Sequence, residues 1–144
     1  MKQILNSGLV AVVMFFCVQS IYAQTEESAI KANLTSLFSH SKAKSFENAA
    51  ALIVYEGEDK TRDQKESFNP GNKDEVNQVK RICKKISALI DLSSKYDFGP
   101  VTSKQVDGKD VYSLDVSFIS GDQKLITAFT FVKTAKGFLL SNMN

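Results

Sequence analysis

Apolar and polar side chains alternate in the last third of the chain, as they do in β-strands with one buried face. Between Val111 and Phe118 every second residue is apolar, namely Tyr112, Leu114, Val116 and Phe118. The opposite face of this segment carries Ser113, Asp115 and Ser117. Asp107-Gly108 precedes it, and Asp-Gly is favoured in two-residue hairpin turns because both central residues take positive φ. We therefore expect Phe98 to Val106 to pair antiparallel with Lys109 to Ile119.

Two more strands follow through short turns. Ser120-Gly121-Asp122 has the composition of a turn, and Lys124 to Lys133 after it has apolar residues on both faces. A strand that is apolar on both faces is expected inside a sheet. After Lys136-Gly137, the segment Phe138 to Ser141 returns beside it. Four strands in this order leave one apolar face uncovered, and such a face packs against another layer.

Helical periodicity occurs twice before the strands. The first helix is expected to begin at Thr25, with apolar residues at helical spacing: Ile30, Leu34, Leu37 and Phe38. The second begins after Asn72, a good N-cap residue, with Glu75 three residues later as in a capping box. Its apolar stripe is unbroken and comprises Val76, Val79, Ile82, Cys83, Ile86, Leu89 and Ile90. We expect this second helix, from Asn72 to Leu92, to cover the open face of the sheet.

The segment between the two helices is less regular. Ser45 suits the cap of a short helix through Ala51, and Leu52 to Tyr55 is interpreted as a short strand, with continued helix as the alternative. Gly57 to Asn72 is rich in charges of alternating sign, which indicates a long solvated connection. The fold class is therefore α+β: a curved antiparallel sheet of four or five strands, packed by one long helix and one or two shorter N-terminal helices.

The first 23 residues have the composition of a secretory signal peptide. Lys2 is followed by an apolar run from Leu9 to Val18 that is short for a bilayer span, and Ala23 supplies a small residue before the cut. Cleavage before Gln24 leaves residues 24–144 as a single α+β domain. We expect export to the periplasm or the extracellular space, and no membrane span in the exported protein.

The charge balance argues against one class of partner. Lys2 is the only charged residue before Gln24, so the exported chain carries 17 basic and 16 acidic residues, a net charge near +1. This balance gives no electrostatic basis for binding nucleic acid or an anionic membrane. Cys83 is the one cysteine after the leader, so no internal disulfide is expected, and its position on the apolar stripe favours a buried thiol over an intermolecular bond.

Few residues offer the chemistry of a catalytic or metal site. His40 is the only histidine and lies where the first helix ends, a position that suits a solvated or helix-capping side chain better than a general base. The one histidine and the one cysteine that remain after the predicted leader cannot form a usual three- or four-ligand zinc site. We therefore expect no catalytic residue, no metal site and no cofactor.

Three groups of residues have both a functional and a simpler interpretation. An acidic cluster offers oxygen ligands for calcium, but the interleaved Lys60 and Arg62 favour a solvated loop; its members are Glu56, Glu58, Asp59 and Asp63. A basic face on the second helix suits an acidic partner or is only the solvent side of the helix; it comprises Lys80, Arg81, Lys84 and Lys85. Three tyrosines form the expected rim of a pocket, or are ordinary core-edge residues: Tyr55, Tyr96 and Tyr112.

The order of elements and the last hairpin resemble a known superfamily. The segment Ala128 to Lys133 followed by Lys136 to Leu140 is similar to the last hairpin of small secreted members of the nuclear-transport-factor-2-like superfamily. That superfamily has a cone-shaped, cystatin-like α+β fold and includes ketosteroid isomerase and the SnoaL-like cyclases. The resemblance implies a curved sheet with a pocket between its concave face and the helices. Members use this pocket for catalysis, for binding or for subunit contacts, so the fold alone does not choose the function.

We expect an exported, non-catalytic binding or accessory domain whose pocket takes a small apolar ligand or a protein partner. One alternative is a small isomerase or cyclase acting on an apolar ring compound, which requires Asp97, Asp115 or His40 to point into the pocket. A second alternative is a homodimer that packs sheet against sheet through Ile119, Ile126 and Val132.

Overall fold

The computed structural model describes residues 6–144, with side chains from Tyr22 onward. Of the predicted leader, residues 1–5 and the side chains of residues 6–21 lie outside the described part of the chain. The fold is α+β, with three helices before four strands. In chain order these are α1 (Asn6–Ala43), α2 (Phe46–Ala50), α3 (Lys73–Asp91), β1 (Lys95–Val106), β2 (Lys109–Ser120), β3 (Gln123–Thr134) and β4 (Gly137–Met143).

The four strands form one antiparallel sheet in the order β1-β2-β3-β4. The predicted pairing of the first hairpin is confirmed, since Val106 lies opposite Lys109 and the pairing continues to Lys95 opposite Ile119. Its turn residues Asp107 and Gly108 have φ angles of 51° and 75°, the positive values that the Asp-Gly pair predicts. The first strand begins at Lys95, three residues earlier than expected.

The two faces of the sheet separate as the alternation predicts. The inner face carries buried apolar residues from β2 and β3: Tyr112, Leu114, Val116, Phe118, Phe129 and Phe131. Asp115 is exposed on the outer face. The strand β3 is an inner strand, paired on both sides. Register shifts between Phe98 and Val101 and between Thr130 and Phe131 mark irregularities of the kind at which strands bend.

The segment predicted as a fifth strand forms two isolated bridges instead. Ile53 pairs parallel with Leu140 of β4, and Val54 pairs antiparallel with Ser67. The Val54 N–H donates to the Leu140 carbonyl at 2.9 Å, so the chain adds a short edge beside β4. Val54 packs on the outer face in a small cluster with Val132 and Leu139.

Helix α1 is the helix that lies against the inner face of the sheet. Its Phe38 is 2% exposed, and its ring centroid lies 5.1–6.1 Å from those of four rings on the sheet: Tyr96, Phe98, Phe118 and Phe129. The Asn33 amide donates to the Phe138 carbonyl at 2.6 Å, which ties the C-terminal half of α1 to β4. The predicted start at Thr25 is wrong, since α1 begins at Asn6 and Thr25 lies inside it.

Helix α3 has the predicted cap and buried stripe but a different neighbour. The Asn72 side chain accepts hydrogen bonds from the backbone of Asp74 and Glu75, as an N-cap does. Val79, Cys83 and Ile86 are fully buried in the same core as the sheet residues. The helix packs mainly on α1 and α2, so it shares the covering of the open sheet face with α1 and does not form that cover by itself. Helix α1 also has an apolar stripe with the same spacing, and it places the larger Phe38 side chain against the inner face of the sheet.

The charged connection between α2 and α3 is held by a partly buried ion pair. The Arg62 guanidinium binds both oxygens of the Glu75 carboxylate, at 2.9 and 3.1 Å. The Asn69 N–H donates to the same carboxylate at 2.6 Å, and the Arg62 carbon Cζ lies 4.3 Å from the centre of the Tyr55 ring. Glu75 therefore anchors the loop rather than completing a capping box with Asn72.

Within the described residues, no helix combines the length and the apolar character needed to cross a membrane.

Candidate functional site

An open groove lies at one end of the inner sheet face, between the C-terminal end of α3 and the turn that joins β2 and β3. Its volume is about 500 Å³. Four apolar side chains line it: Leu89, Leu92, Phe118 and Leu125. A volume of this size falls in the usual range of small-molecule sites.

The local structure explains why apolar side chains meet there. Phe118 and Leu125 are cross-strand partners on the inner face, immediately beside the β2–β3 turn. Phe38 of α1 covers Phe118 from one side, whereas Leu125 is 54% exposed. Leu92, the C-cap of α3, is 77% exposed. Two leucines therefore face solvent across an apolar opening.

The polar residues of the groove lie at its rim. They are Ser93, Ser120, Gln123 and Lys124. The Ser93 hydroxyl donates to the Ile90 carbonyl at 3.1 Å, so it caps the helix end. Within residues 22–144, Lys124 forms no ion pair and no histidine, cysteine or carboxylate lines the groove. The arrangement can hold an apolar group, and it offers no general acid or base from these residues.

The three tyrosines of the expected rim do not meet. Tyr96 is 36% exposed and its ring centre lies 6.1 Å from that of Phe118, but Tyr96 does not line the groove. Tyr55 packs on Phe68 in the connection before α3. Tyr112 is six residues from Phe118 along β2, which is roughly 20 Å in an extended strand. Burial raises the pKa of the Tyr112 hydroxyl, and the Glu26 carboxylate adds to the rise.

The side chains that the isomerase alternative requires lie away from the groove. Asp97 and Asp115 are exposed, and Asp97 faces Lys95 at 3.8 Å. His40 lies in the last turn of α1 and is half-buried. The sequence predicted a solvated or helix-capping side chain at this position. None of these three side chains lines the groove.

The acidic cluster of the connection does not converge. Asp59 accepts hydrogen bonds from the backbone and hydroxyl of Thr61, which hold the pKa of its carboxyl below the usual range. Asp63 faces Lys60 at 3.8 Å. Across the part of the chain that the structure describes, no three histidine, cysteine or carboxylate side chains are placed to hold a metal ion.

Cys83 is fully buried on the apolar stripe of α3, as the sequence predicts. Burial raises the pKa of its thiol, which disfavours the reactive thiolate.

The outer face of the sheet offers less apolar surface than the dimer alternative expects. Ile126 is 55% exposed, but Val132 is only 8% exposed because Val54 and Leu139 pack on it. Ile126 is thus the one exposed apolar residue of β3 on the outer face, and its cross-strand partner is the polar Ser117.

The sequence did not lead us to predict the two exposed leucines of the groove, Leu92 and Leu125. Leu125 is the first apolar residue after the β2–β3 turn, and Ile126 follows it on the opposite face of the strand. The position of Leu125 beside the turn was a usable signal, because residues next to a turn are the least covered by a crossing helix.

Comparison of the chain with protein-family models, with curated proteins and with solved structures found no match.

Proposed function

We propose that the chain is an exported, non-catalytic binding domain whose groove between α3 and the β2–β3 turn takes an apolar group from a small ligand or a partner protein. The observation that carries the proposal is the exposure of Leu92 and Leu125, 77% and 54%, across one opening. Covering a leucine fully is worth about 1.5–3 kcal/mol, so a ligand that buries both side chains gains a substantial part of its affinity from them.

The proposal extends to the fold family. A cystatin-like cone of the nuclear-transport-factor-2-like kind has helices on one face of a bent antiparallel sheet and a pocket that opens at one end. The contacts of Phe38 with the sheet, the two register shifts and the position of the groove support this reading. Export rests on the leader-like composition of residues 1–23.

A comparison of two adjacent residues tests the groove. Leu125 and Ile126 have nearly equal exposure, 54% and 55%, on opposite faces of the same strand. Leu125→Ser is expected to weaken binding of an apolar fluorescent dye such as N-phenyl-1-naphthylamine by about tenfold, since it removes apolar contact worth roughly 1.4 kcal/mol. Ile126→Ser is the matched control and is expected to leave the dissociation constant unchanged.

The opposite pattern would remove the basis of this proposal. If Ile126→Ser weakens dye binding and Leu125→Ser does not, the interaction surface is the outer face of the sheet. Light scattering on the same proteins separates the dimer alternative, because a sheet-mediated dimer dissociates when Ile126 becomes serine and is unaffected by the change at Leu125.

A further inference from the structure

A second groove, of about 290 Å³, lies where the end of α1 and the start of α2 meet the middle of α3. Six residues line it: Ser41, Lys44, Phe46, Lys80, Lys84 and Ser87. It shares no lining residue with the apolar groove, so it is a separate feature of the surface. Half of its lining residues are lysines, and no carboxylate is among them.

The three lysines of this groove lack counter-charges. Within residues 22–144, Lys44, Lys80 and Lys84 form no ion pair. Other lysines of the chain do pair with carboxylates: Lys31, Lys42, Lys60, Lys95 and Lys133. The carboxylate of Asp91 on α3 is already engaged by Lys42 and by the Ser87 hydroxyl. The groove therefore has an uncompensated positive charge.

A buried hydroxyl without a strong hydrogen-bond acceptor lies beneath the groove, on Ser41. Ser41 is 2% exposed, and its Oγ has no partner within the structure. The Cys83 thiol lies beside it, but sulfur is a weak acceptor, so the hydroxyl proton lacks a strong one. Leaving a buried donor unsatisfied costs about 1–3 kcal/mol. An anion in the groove supplies the missing acceptor when the Ser41 side chain turns toward it, because the Oγ atom otherwise has less than 1 Å² of accessible surface.

We propose that this groove binds the phosphate group of a small organic phosphate. A phosphate monoester carries close to two negative charges near neutral pH and three acceptor oxygens, which suit several ammonium groups and one hydroxyl donor. A carboxylate has one charge and two oxygens and uses fewer of these donors. The Phe46 ring, with the Lys80 ammonium 5.7 Å from its centre, forms an apolar wall for the organic part of the ligand.

Calorimetric titration of the full chain with phenyl phosphate and with inorganic phosphate, at constant ionic strength, tests this site. Phenyl phosphate is expected to bind at one site per chain and more tightly than inorganic phosphate, because only the ester reaches the Phe46 wall. Lys80→Gln and Lys84→Gln are each expected to weaken binding by about tenfold, the size of one lost charge-assisted hydrogen bond. Lys85→Gln is the matched control: it removes the same charge from an exposed position of α3 outside the groove.

Ser41→Ala separates a ligand role from a structural one. It is expected to weaken phenyl phosphate binding several-fold while leaving the melting temperature unchanged or higher, because it removes an unsatisfied hydroxyl. A lower melting temperature with unchanged binding would overturn the assignment of Ser41.

Two further results would overturn the proposal as a whole. The first is no saturable binding of phenyl phosphate up to millimolar concentration. The second is equal weakening by Lys84→Gln and Lys85→Gln, which would show a diffuse response to surface charge. Phosphatidylserine vesicles serve as a parallel probe. If the chain binds these vesicles, and Lys84→Gln and Lys85→Gln weaken that binding equally, the lysines belong to a membrane-binding surface and not to a phosphate pocket.

Discussion

Replacing Phe38 with alanine is expected to lower the free energy of unfolding by about 3–5 kcal/mol, the usual cost of removing a buried phenyl ring. Phe38 is 2% exposed and contacts four aromatic rings of the sheet, so its removal leaves a cavity between α1 and the inner face. Urea denaturation followed by circular dichroism measures the change. Phe38→Leu keeps most of the volume and is expected to cost roughly 1–2 kcal/mol, which provides a folded variant if the alanine protein does not fold.

Ile82→Ala is the comparison on α3. Ile82 belongs to the apolar stripe from which the sequence predicted that α3 covers the sheet, yet it is only partly buried. Its replacement is expected to cost about 1–2 kcal/mol, less than the loss of Phe38. A larger cost at Ile82 than at Phe38 would contradict the placement of α1 against the sheet.

Glu75→Gln is expected to lower the free energy of unfolding by about 2–4 kcal/mol, because it leaves the Arg62 guanidinium with only the exposed Glu66 carboxylate as a counter-charge. This range is below that of fully buried pairs, since the Arg62 side chain is 24% exposed, against 8% for Glu75. Glu66→Gln is the matched control. Glu66 also faces Arg62, at 3.3 Å, but its side chain is 53% exposed, so its loss is expected to cost less than about 1 kcal/mol.

The pH dependence of stability gives an independent check on the same pair. The hydrogen bonds from Arg62 hold the pKa of the Glu75 carboxyl below its usual range, and the Asn69 N–H adds to this effect. A carboxyl whose pKa falls on folding stabilises the fold above its unfolded pKa, about 4.3 for glutamate, and this stabilisation is lost as the pH falls through the folded value. The stability difference between wild type and Glu75→Gln is therefore expected to shrink below about pH 4. A difference that is the same at pH 7 and pH 3 would contradict the role of the ionised pair.

The sheet was predictable because its signals are local. The Asp107-Gly108 turn fixes the register of the first hairpin, and strict alternation from Tyr112 to Phe118 fixes which face is buried. The cap at Asn72 was predictable for the same reason, since it depends on residues two and three positions away.

The arrangement of the helices was not predictable, because two apolar stripes competed for one sheet face. The stripes of α1 and α3 have the same spacing, and only packing decides which of them meets the sheet. The Arg62–Glu75 pair was missed because its members are thirteen positions apart in the sequence and many carboxylates were available as partners of Arg62. The open leucines of the groove and the unpaired hydroxyl of Ser41 are likewise consequences of tertiary packing.

The most direct test of the apolar groove is to locate a bound apolar probe by nuclear magnetic resonance. Isotope-filtered spectra of the methyl-labelled full chain with N-phenyl-1-naphthylamine report which methyl groups lie within about 5 Å of the probe. The account predicts contacts with the methyl groups of Leu89, Leu92 and Leu125, the aliphatic lining of the groove. Contacts with Ile119 and Ile126 on the outer face, and none with the three leucines, would contradict it.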